Sequence, residues 1–137
     1  MVEHPVSPER VSTAVEQDIA QQLLRIHEES YGASAVTARA LVGEDAVVVF
    51  LDDLELQRSE EFLIGAGEGQ AVIDVRGRYQ QAIESTFRAA VERATGRRVI
   101  SFVSATKLDP NYVVEIFRLG PPTDADGAGS SDFRLGP

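Results

Sequence analysis

Apolar side chains recur at helical spacing near the start of the chain. They follow one another in steps of four, four, four and three residues, which place them on one face of an α-helix. These positions are Val11, Val15, Ile19, Leu23 and Ile26. Ser7-Pro8-Glu9 has the residue types that favour a helix start, and Gly32 can adopt the left-handed conformation that ends a helix. The pattern predicts a first helix over about residues 8–31.

Two short runs rich in β-branched residues follow, at 36–42 and 45–52. Gly43-Glu44 separates them, which is typical of a tight antiparallel hairpin. In the second run, both alternating sets of side chains are apolar. The sets are Ala46, Val48 and Phe50 on one face and Val47, Val49 and Leu51 on the other. A strand with two apolar faces is normally covered on both sides, so we expect a layer of protein on each.

The middle of the chain predicts two helices joined by a glycine-rich connection. Ser59 can cap a brief helix from residue 60 to about residue 66, and the connection that follows contains Gly67 and Gly69. Apolar residues at helical spacing then predict a longer helix over 72–94, ended by Thr95-Gly96. Gly77 lies inside this helix, where glycine costs about 1 kcal/mol relative to alanine. We therefore expect an irregularity or close packing at Gly77.

Two further β-rich runs, at 99–104 and 112–119, predict a second hairpin. Residues 105–111 between them include Asp-Pro-Asn, which is typical of a loop. Beyond Gly120 the chain is rich in Gly, Pro, Ser and Asp, and such a segment buries too little apolar surface to offset the entropy of ordering. We expect one domain over 8–120, with flexible ends at 1–7 and 121–137.

The predicted order of elements is helix, strand, strand, helix, strand, strand. This order is typical of an α+β two-layer sandwich, in which a four-stranded, mainly antiparallel sheet carries helices on one face. The second and fourth strands are nevertheless apolar on both faces, and each such side chain left in water forfeits about 1.5–3 kcal/mol. We therefore expect a second copy of the chain to cover the other face. The residues predicted at this homodimer interface are Val47, Val49, Leu51, Val113 and Phe117.

Composition and charge argue against several classes of function. Asp and Glu number 22 against 13 Lys and Arg, and the formal net charge of −9 disfavours binding to nucleic acid or to an anionic membrane surface. Apolar runs are far shorter than the roughly 20 residues that cross a bilayer, and the N-terminus has no apolar signal core. We expect a cytoplasmic protein without direct membrane insertion. Because there is no cysteine, thiolate nucleophiles and sulfur-bound zinc are excluded, and we predict no cofactor.

Candidate ligand-binding residues lie at and after the glycine-rich connection. Gly67 and Gly69 precede a helix whose N-terminus can attract an anion, and Arg76 and Arg78 add positive charge. The connection lacks the Lys-Ser/Thr pair of a phosphate-binding loop, and a helix-to-helix hinge is the simpler interpretation. The six arginines of residues 76–98 could face an acidic partner surface or hold a small anion, but a solvated helix face is the favoured interpretation.

Histidines and clustered acids predict no metal site. His27 lies at the border of the first apolar stripe, which favours a structural imidazole, with proton sensing as the alternative. Asp52, Asp53 and Glu55 lack the spacing of a calcium loop, which favours a solvated acidic loop. The sequence has no nucleophile with a well-placed base, so we expect no catalytic residues and no enzymatic activity.

Several short segments share an order and spacing with a known family. They are Tyr31-Gly32, 46–51, Ser59-Glu60-Glu61, 95–99, 101–104 and 113–117. Together they resemble the MpsC-like family of small bacterial proteins, over about residues 10–119. The family is named for a sodium-translocating, membrane-potential-generating system, and the resemblance implies membrane partners that handle ions or inorganic carbon. It supplies no catalytic residues. Ser34-Ala35 and Ala105 depart from residues that are frequent in the family, Gly-Pro and an acid respectively.

Three functional hypotheses follow, and the least favoured is an enzyme with an acid–base pair in a dimer cleft. The first is a non-enzymatic, homodimeric accessory or regulatory module, associated with a membrane subunit of a bacterial ion or inorganic-carbon transport system. The alternative is a domain that senses a small anion or a nucleotide, held by Arg76, Arg78, Gly67 and Gly69.

Overall fold

Four helices and four strands make up the described part of the chain, residues 11–32 and 35–122 of a computed structural model. In chain order they are α1 (Ala14–Tyr31), β1 (Ala35–Val42), β2 (Ala46–Leu54), α2 (Arg58–Gly65), α3 (Gly69–Ala82), α4 (Glu84–Thr95), β3 (Val99–Leu108) and β4 (Asn111–Leu119). The strands form one antiparallel sheet in the order β1-β2-β4-β3. The predicted α+β fold and its order of main elements are confirmed. The ends predicted to be flexible fall largely outside the described residues.

The first helix begins later than the sequence predicted. Thr13 caps it: the Thr13 hydroxyl accepts from the backbone N–H of Glu16, and the Glu16 carboxylate accepts from the N–H of Thr13. The same carboxylate accepts from the N–H of Val42 at 2.8 Å, which ties the start of α1 to the end of β1. This reciprocal cap satisfies two helix-end amides and so sets the boundary. The predicted start at residue 8 lies outside the described residues, and 11–13 are not helical.

The long second helix of the prediction is in fact two helices that meet at Ile83. The backbone there has φ −102° and ψ 7°, outside the helical range. Gly77, where we expected the irregularity, is regular α-helix, and a Cβ placed on it would meet no atom within 4 Å. Ile83 is buried in the core. The break therefore leaves this side chain in the core, and hydrophobic periodicity, which continues through Ile83, gives no sign of it.

The second hairpin is longer than predicted, because residues 105–108 continue β3. Ala105 pairs with Val114 and Lys107 pairs with Tyr112. Only the Asp109-Pro110 turn remains of the predicted loop. Ala105 and Lys107 have low β-strand propensity, so the sequence did not predict a strand here. This part of β3 forms because it pairs with β4.

The helices cover one face of the sheet. Helix α1 packs on β1, α3 and α4 pack on β3, and α1 contacts α4 above the middle of the sheet. The core between the layers includes Ile19 and Leu23 from α1, Phe87 and Val91 from α4, and Val47, Val49, Leu51, Val113 and Phe117 from β2 and β4.

Candidate functional site

The sheet face opposite the helices carries a group of half-exposed apolar side chains, which we call the open face. Its members lie in register on all four strands: Leu41, Val48, Phe50, Val103, Val114 and Ile116. Val103 is 55% exposed and Leu41 is 37% exposed. The helices that pack on the sheet, α1, α3 and α4, lie against its other face. A contiguous apolar surface of this kind is typical of an interaction site.

The structure corrects which apolar set faces outward. Val47, Val49, Leu51, Val113 and Phe117, predicted at the dimer interface, are each 0% exposed. They lie under the helices of the same chain and cannot contact a second copy. The expectation of two apolar faces is met, because the alternate set forms the open face. Its side chains point away from the helices, since neighbouring residues of a strand face opposite sides.

Charged side chains border the open face at both ends. Arg39 on β1 pairs with Asp52 on β2 at 3.2 Å, and the Arg39 guanidinium lies 4.7 Å from the centre of the Phe50 ring. At the other end, Arg118 on β4 pairs with Asp45 at 3.3 Å. Each end thus carries an ion pair next to the apolar centre.

A buried ion pair joins α2 to α3. Arg76 donates from Nε to Glu60 at 2.7 Å and from Nη2 to the second oxygen of Glu60 at 2.9 Å. The Tyr31 hydroxyl donates to the same carboxylate, and the Arg76 guanidinium lies 4.4 Å from the Tyr31 ring centre. Burial alone would raise the pKa of Glu60, but the hydrogen bonds from Arg76 and Tyr31 outweigh it and hold that pKa below its usual value. The pair therefore holds the short helix α2 against the rest of the domain.

His27 lies beside this ion pair, in the core. It is 1% exposed, and its ring stacks on Tyr31 with 5.9 Å between centroids. Burial, assisted by the positive charge of Arg76, lowers the pKa of His27 to about 4. The imidazole is therefore neutral at physiological pH, as a structural role requires.

The four residues predicted to hold an anion lie on α3 and in the turn before it, and their side chains differ in exposure. Arg76 is buried and engaged by Glu60, whereas Arg78 is exposed two residues along α3. Gly67 has φ +81° in the turn between α2 and α3, and a Cβ added at Gly69 would lie 3.3 Å from the Leu108 side chain of β3. The hinge interpretation agrees with this helix–turn–helix geometry. Other arginines of the basic stretch also bind within the chain: Arg97 donates to the backbone oxygen of Gly120.

Glu115 is a buried acid that sequence reasoning missed, as it also missed the burial of Glu16 and Glu60. Glu115 lies on β4 under the helices, 0% exposed, opposite Val49 on one side and Ser104 on the other. Neither carboxyl oxygen has a hydrogen-bond partner among the described residues. Burial raises the pKa of Glu115 to about 8, opposed only in part by the Ser104 hydroxyl. The available signal was an acid in an alternation of apolar residues, between Val113 and Phe117.

The described residues contain neither a cluster suited to a metal ion nor a helix suited to crossing a membrane. Within 11–32 and 35–122, no three or more histidine and acidic side chains are grouped so that they could hold a metal ion. None of the helices in these ranges combines the length and the apolar character that a membrane span needs.

Comparison with known proteins identifies the family. A family model described as "Na+-translocating membrane potential-generating system (MpsC)" matches residues 12–120, which is most of the chain and the whole of the described fold up to β4. The chain belongs to the MpsC family. Membership implies a role in a Na+-translocating, membrane-potential-generating system. Neither the curated proteins nor the solved structures provide a match.

Proposed function

We propose that this MpsC-family protein is a non-enzymatic accessory or regulatory subunit that works as a homodimer on the cytoplasmic side of its membrane system. The open face is the observation that carries this proposal. Its six apolar side chains lie on adjacent strands and remain partly exposed in the single chain. Covering them recovers part of the roughly 1.5–3 kcal/mol that full burial of each such side chain contributes.

The charges around the open face suit a second copy of the same chain. A symmetric dimer brings one patch against itself, so the patch must be complementary to its own image. Arg39–Asp52 and Arg118–Asp45 give each end of the face both signs of charge. A partner copy therefore meets an opposite charge at either end, although the chain as a whole has a formal net charge of −9. Two sheets packed face to face would form a β-sandwich interface with the helices outside.

The non-enzymatic part of the proposal is supported by how the interior polar groups are used. Arg76, Glu60 and Tyr31 bind one another and join α1, α2 and α3. His27 is buried with a low pKa and stacks on Tyr31. These contacts stabilise the fold, and the sequence offers no cysteine as a nucleophile.

The proposal is tested by Ile116→Glu, with Phe62→Glu as the matched control. Ile116 lies on the central strand β4 within the open face, whereas Phe62 is 73% exposed on α2, outside the sheet. In a face-to-face dimer each copy contributes a new carboxylate at position 116. Both carboxylates are then buried in the interface without a partner. We expect sedimentation equilibrium to show a dimer dissociation constant at least 100-fold weaker for Ile116→Glu, corresponding to about 2.7 kcal/mol, and unchanged for Phe62→Glu.

Circular dichroism confirms that both variants fold before their masses are compared. A dimer that survives Ile116→Glu and is lost with Phe62→Glu would place the interface on the helical side and overturn the proposal. Unchanged dimerisation in both variants would also overturn it.

A further inference from the structure

A cavity of about 550 Å³ lies between α3, α4 and β3, on the helical side of the sheet. Its wall includes Gln80 of α3 and Phe102 and Ser104 of β3. Charged residues Asp74, Arg78 and Glu84 also line it. Ser104 is the register partner of Glu115 on β4, so the cavity reaches the neighbourhood of the buried carboxyl.

Four oxygen atoms in this region make no hydrogen bond of standard geometry among the described residues, although the Ser104 hydroxyl is close enough to Glu115 to lower its pKa in part. They are Oε1 of Gln80, Oγ of Ser104 and both carboxyl oxygens of Glu115. Gln80 is 2% exposed and Glu115 is 0% exposed, so neither side chain is solvated at the surface. A buried polar group left unpaired costs about 1–3 kcal/mol. These unpaired oxygens lower the stability of the fold. A bound ligand that pairs with them would remove that cost.

The chemistry of these atoms selects the class of ligand. An amide oxygen, a hydroxyl and a carboxylate are the donors that hard cations prefer. The group contains one carboxylate, which balances one positive charge, and a divalent ion would leave a net charge in a dry interior. We propose that Glu115, Ser104 and Gln80 bind one alkali-metal cation at the inner end of this cavity, in exchange for the carboxyl proton of Glu115.

The exchange conserves charge. The O–H bond of the Glu115 carboxyl breaks, its proton passes to solvent, and the cation takes its place beside the carboxylate. Charged or titratable groups on the elements packed over this part of the sheet include His27 on α1, Asp74, Arg76 and Arg78 on α3, and Glu84 and Arg88 on α4.

These surrounding charges largely cancel. Arg76 is paired with Glu60 and Arg88 with Glu84, and His27 is neutral above pH of about 4. Asp74 and Arg78 have opposite signs, so occupancy is governed by the proton on Glu115. Because that pKa is about 8, the apparent cation affinity should rise about tenfold per pH unit below pH 8 and level off above it.

Thermal unfolding of the full chain at constant ionic strength tests the site. Melting temperatures are compared in choline, lithium, sodium and potassium chloride at several pH values from 6 to 9. At pH 9 we expect at least one alkali chloride to raise the melting temperature above its value in choline chloride, with a half-saturating concentration about 100-fold higher at pH 6. This test does not depend on dimerisation, because the cavity lies on the helical side.

Variants separate the site from general salt effects. Glu115→Gln should lose the alkali response, and Ser104→Ala should weaken it at least tenfold while keeping the fold. Glu61→Gln, which changes an exposed acid on α2, should respond as the unmodified protein does. Identical melting in choline and in every alkali chloride at pH 9 would overturn the proposal, and so would a full response in Glu115→Gln.

Discussion

Replacing Glu115 by glutamine removes a buried carboxyl group whose ionisation is unfavourable in the folded state. The pKa of Glu115 is about 8 in the fold against a usual 4.5, so the folded chain retains a proton that the unfolded chain releases. A raised pKa gives stability that is fully present below pH 4.5 and is lost as pH rises to 8. Glutamine has nearly the same shape and does not ionise, so the variant should lack this loss.

The size of the effect follows from the pKa shift. At 1.36 kcal/mol per pKa unit, the change from 4.5 to about 8 corresponds to about 5 kcal/mol over the whole range. The ionisation of His27 changes the unfolding free energy with the opposite sign, and it does so at lower pH. Its pKa falls from 6.5 to about 4, so its contribution to stability grows as pH rises to 6.5 and is constant above. The interval from pH 6.5 to 8 therefore isolates Glu115, with a loss of about 2 kcal/mol.

Urea unfolding followed by far-ultraviolet circular dichroism measures this loss, in choline buffers so that no alkali cation contributes. The unmodified protein should lose about 2 kcal/mol of unfolding free energy between pH 6.5 and 8, and Glu115→Gln less than about 0.5 kcal/mol. Glu61→Gln should follow the unmodified protein. Constant stability of the unmodified protein over this interval would refute the reasoning, and so would an equal loss in Glu115→Gln.

Two further predictions concern the helices. Arg76→Met should lower the unfolding free energy by about 3–5 kcal/mol, because Glu60 is left buried and unpaired; Arg93→Met, at an exposed position, should cost less than about 0.5 kcal/mol in the same urea titration, and equal effects would contradict a stabilising role for the ion pair. Gly77→Ala should stabilise by about 0.5–1 kcal/mol, whereas Gly96→Ala should destabilise by about 1–2 kcal/mol because Gly96 has φ +71°. Thermal melts that show the same sign for both glycine variants would contradict this assignment.

The order of elements was predictable because it depends on local periodicity and turn chemistry. The β1–β2 hairpin and the end of α1 at Gly32 follow directly from such signals. Which apolar face of β2 meets the helices did not follow from β2 itself, since both alternating sets are apolar. The answer depends on helix packing above β2 and β4, which involves residues distant in sequence.

The buried polar groups were also beyond sequence reasoning, for a related reason. Arg76 and Glu60 are 16 positions apart on different helices, and each alone is typical of a solvated helix face. Their pairing depends on how α2 folds back on α3. Glu115 could have been noticed, because it interrupts a run of apolar residues in a predicted strand. However, an acidic residue in a strand is more often exposed than buried.

The mass of the unmodified protein in solution tests the central claim, that the open face associates with a second copy. Multi-angle light scattering behind a sizing column, at tens of micromolar protein, should give twice the 14.9 kDa chain mass. A mass of 14.9 kDa at every concentration up to about 100 µM would contradict the account.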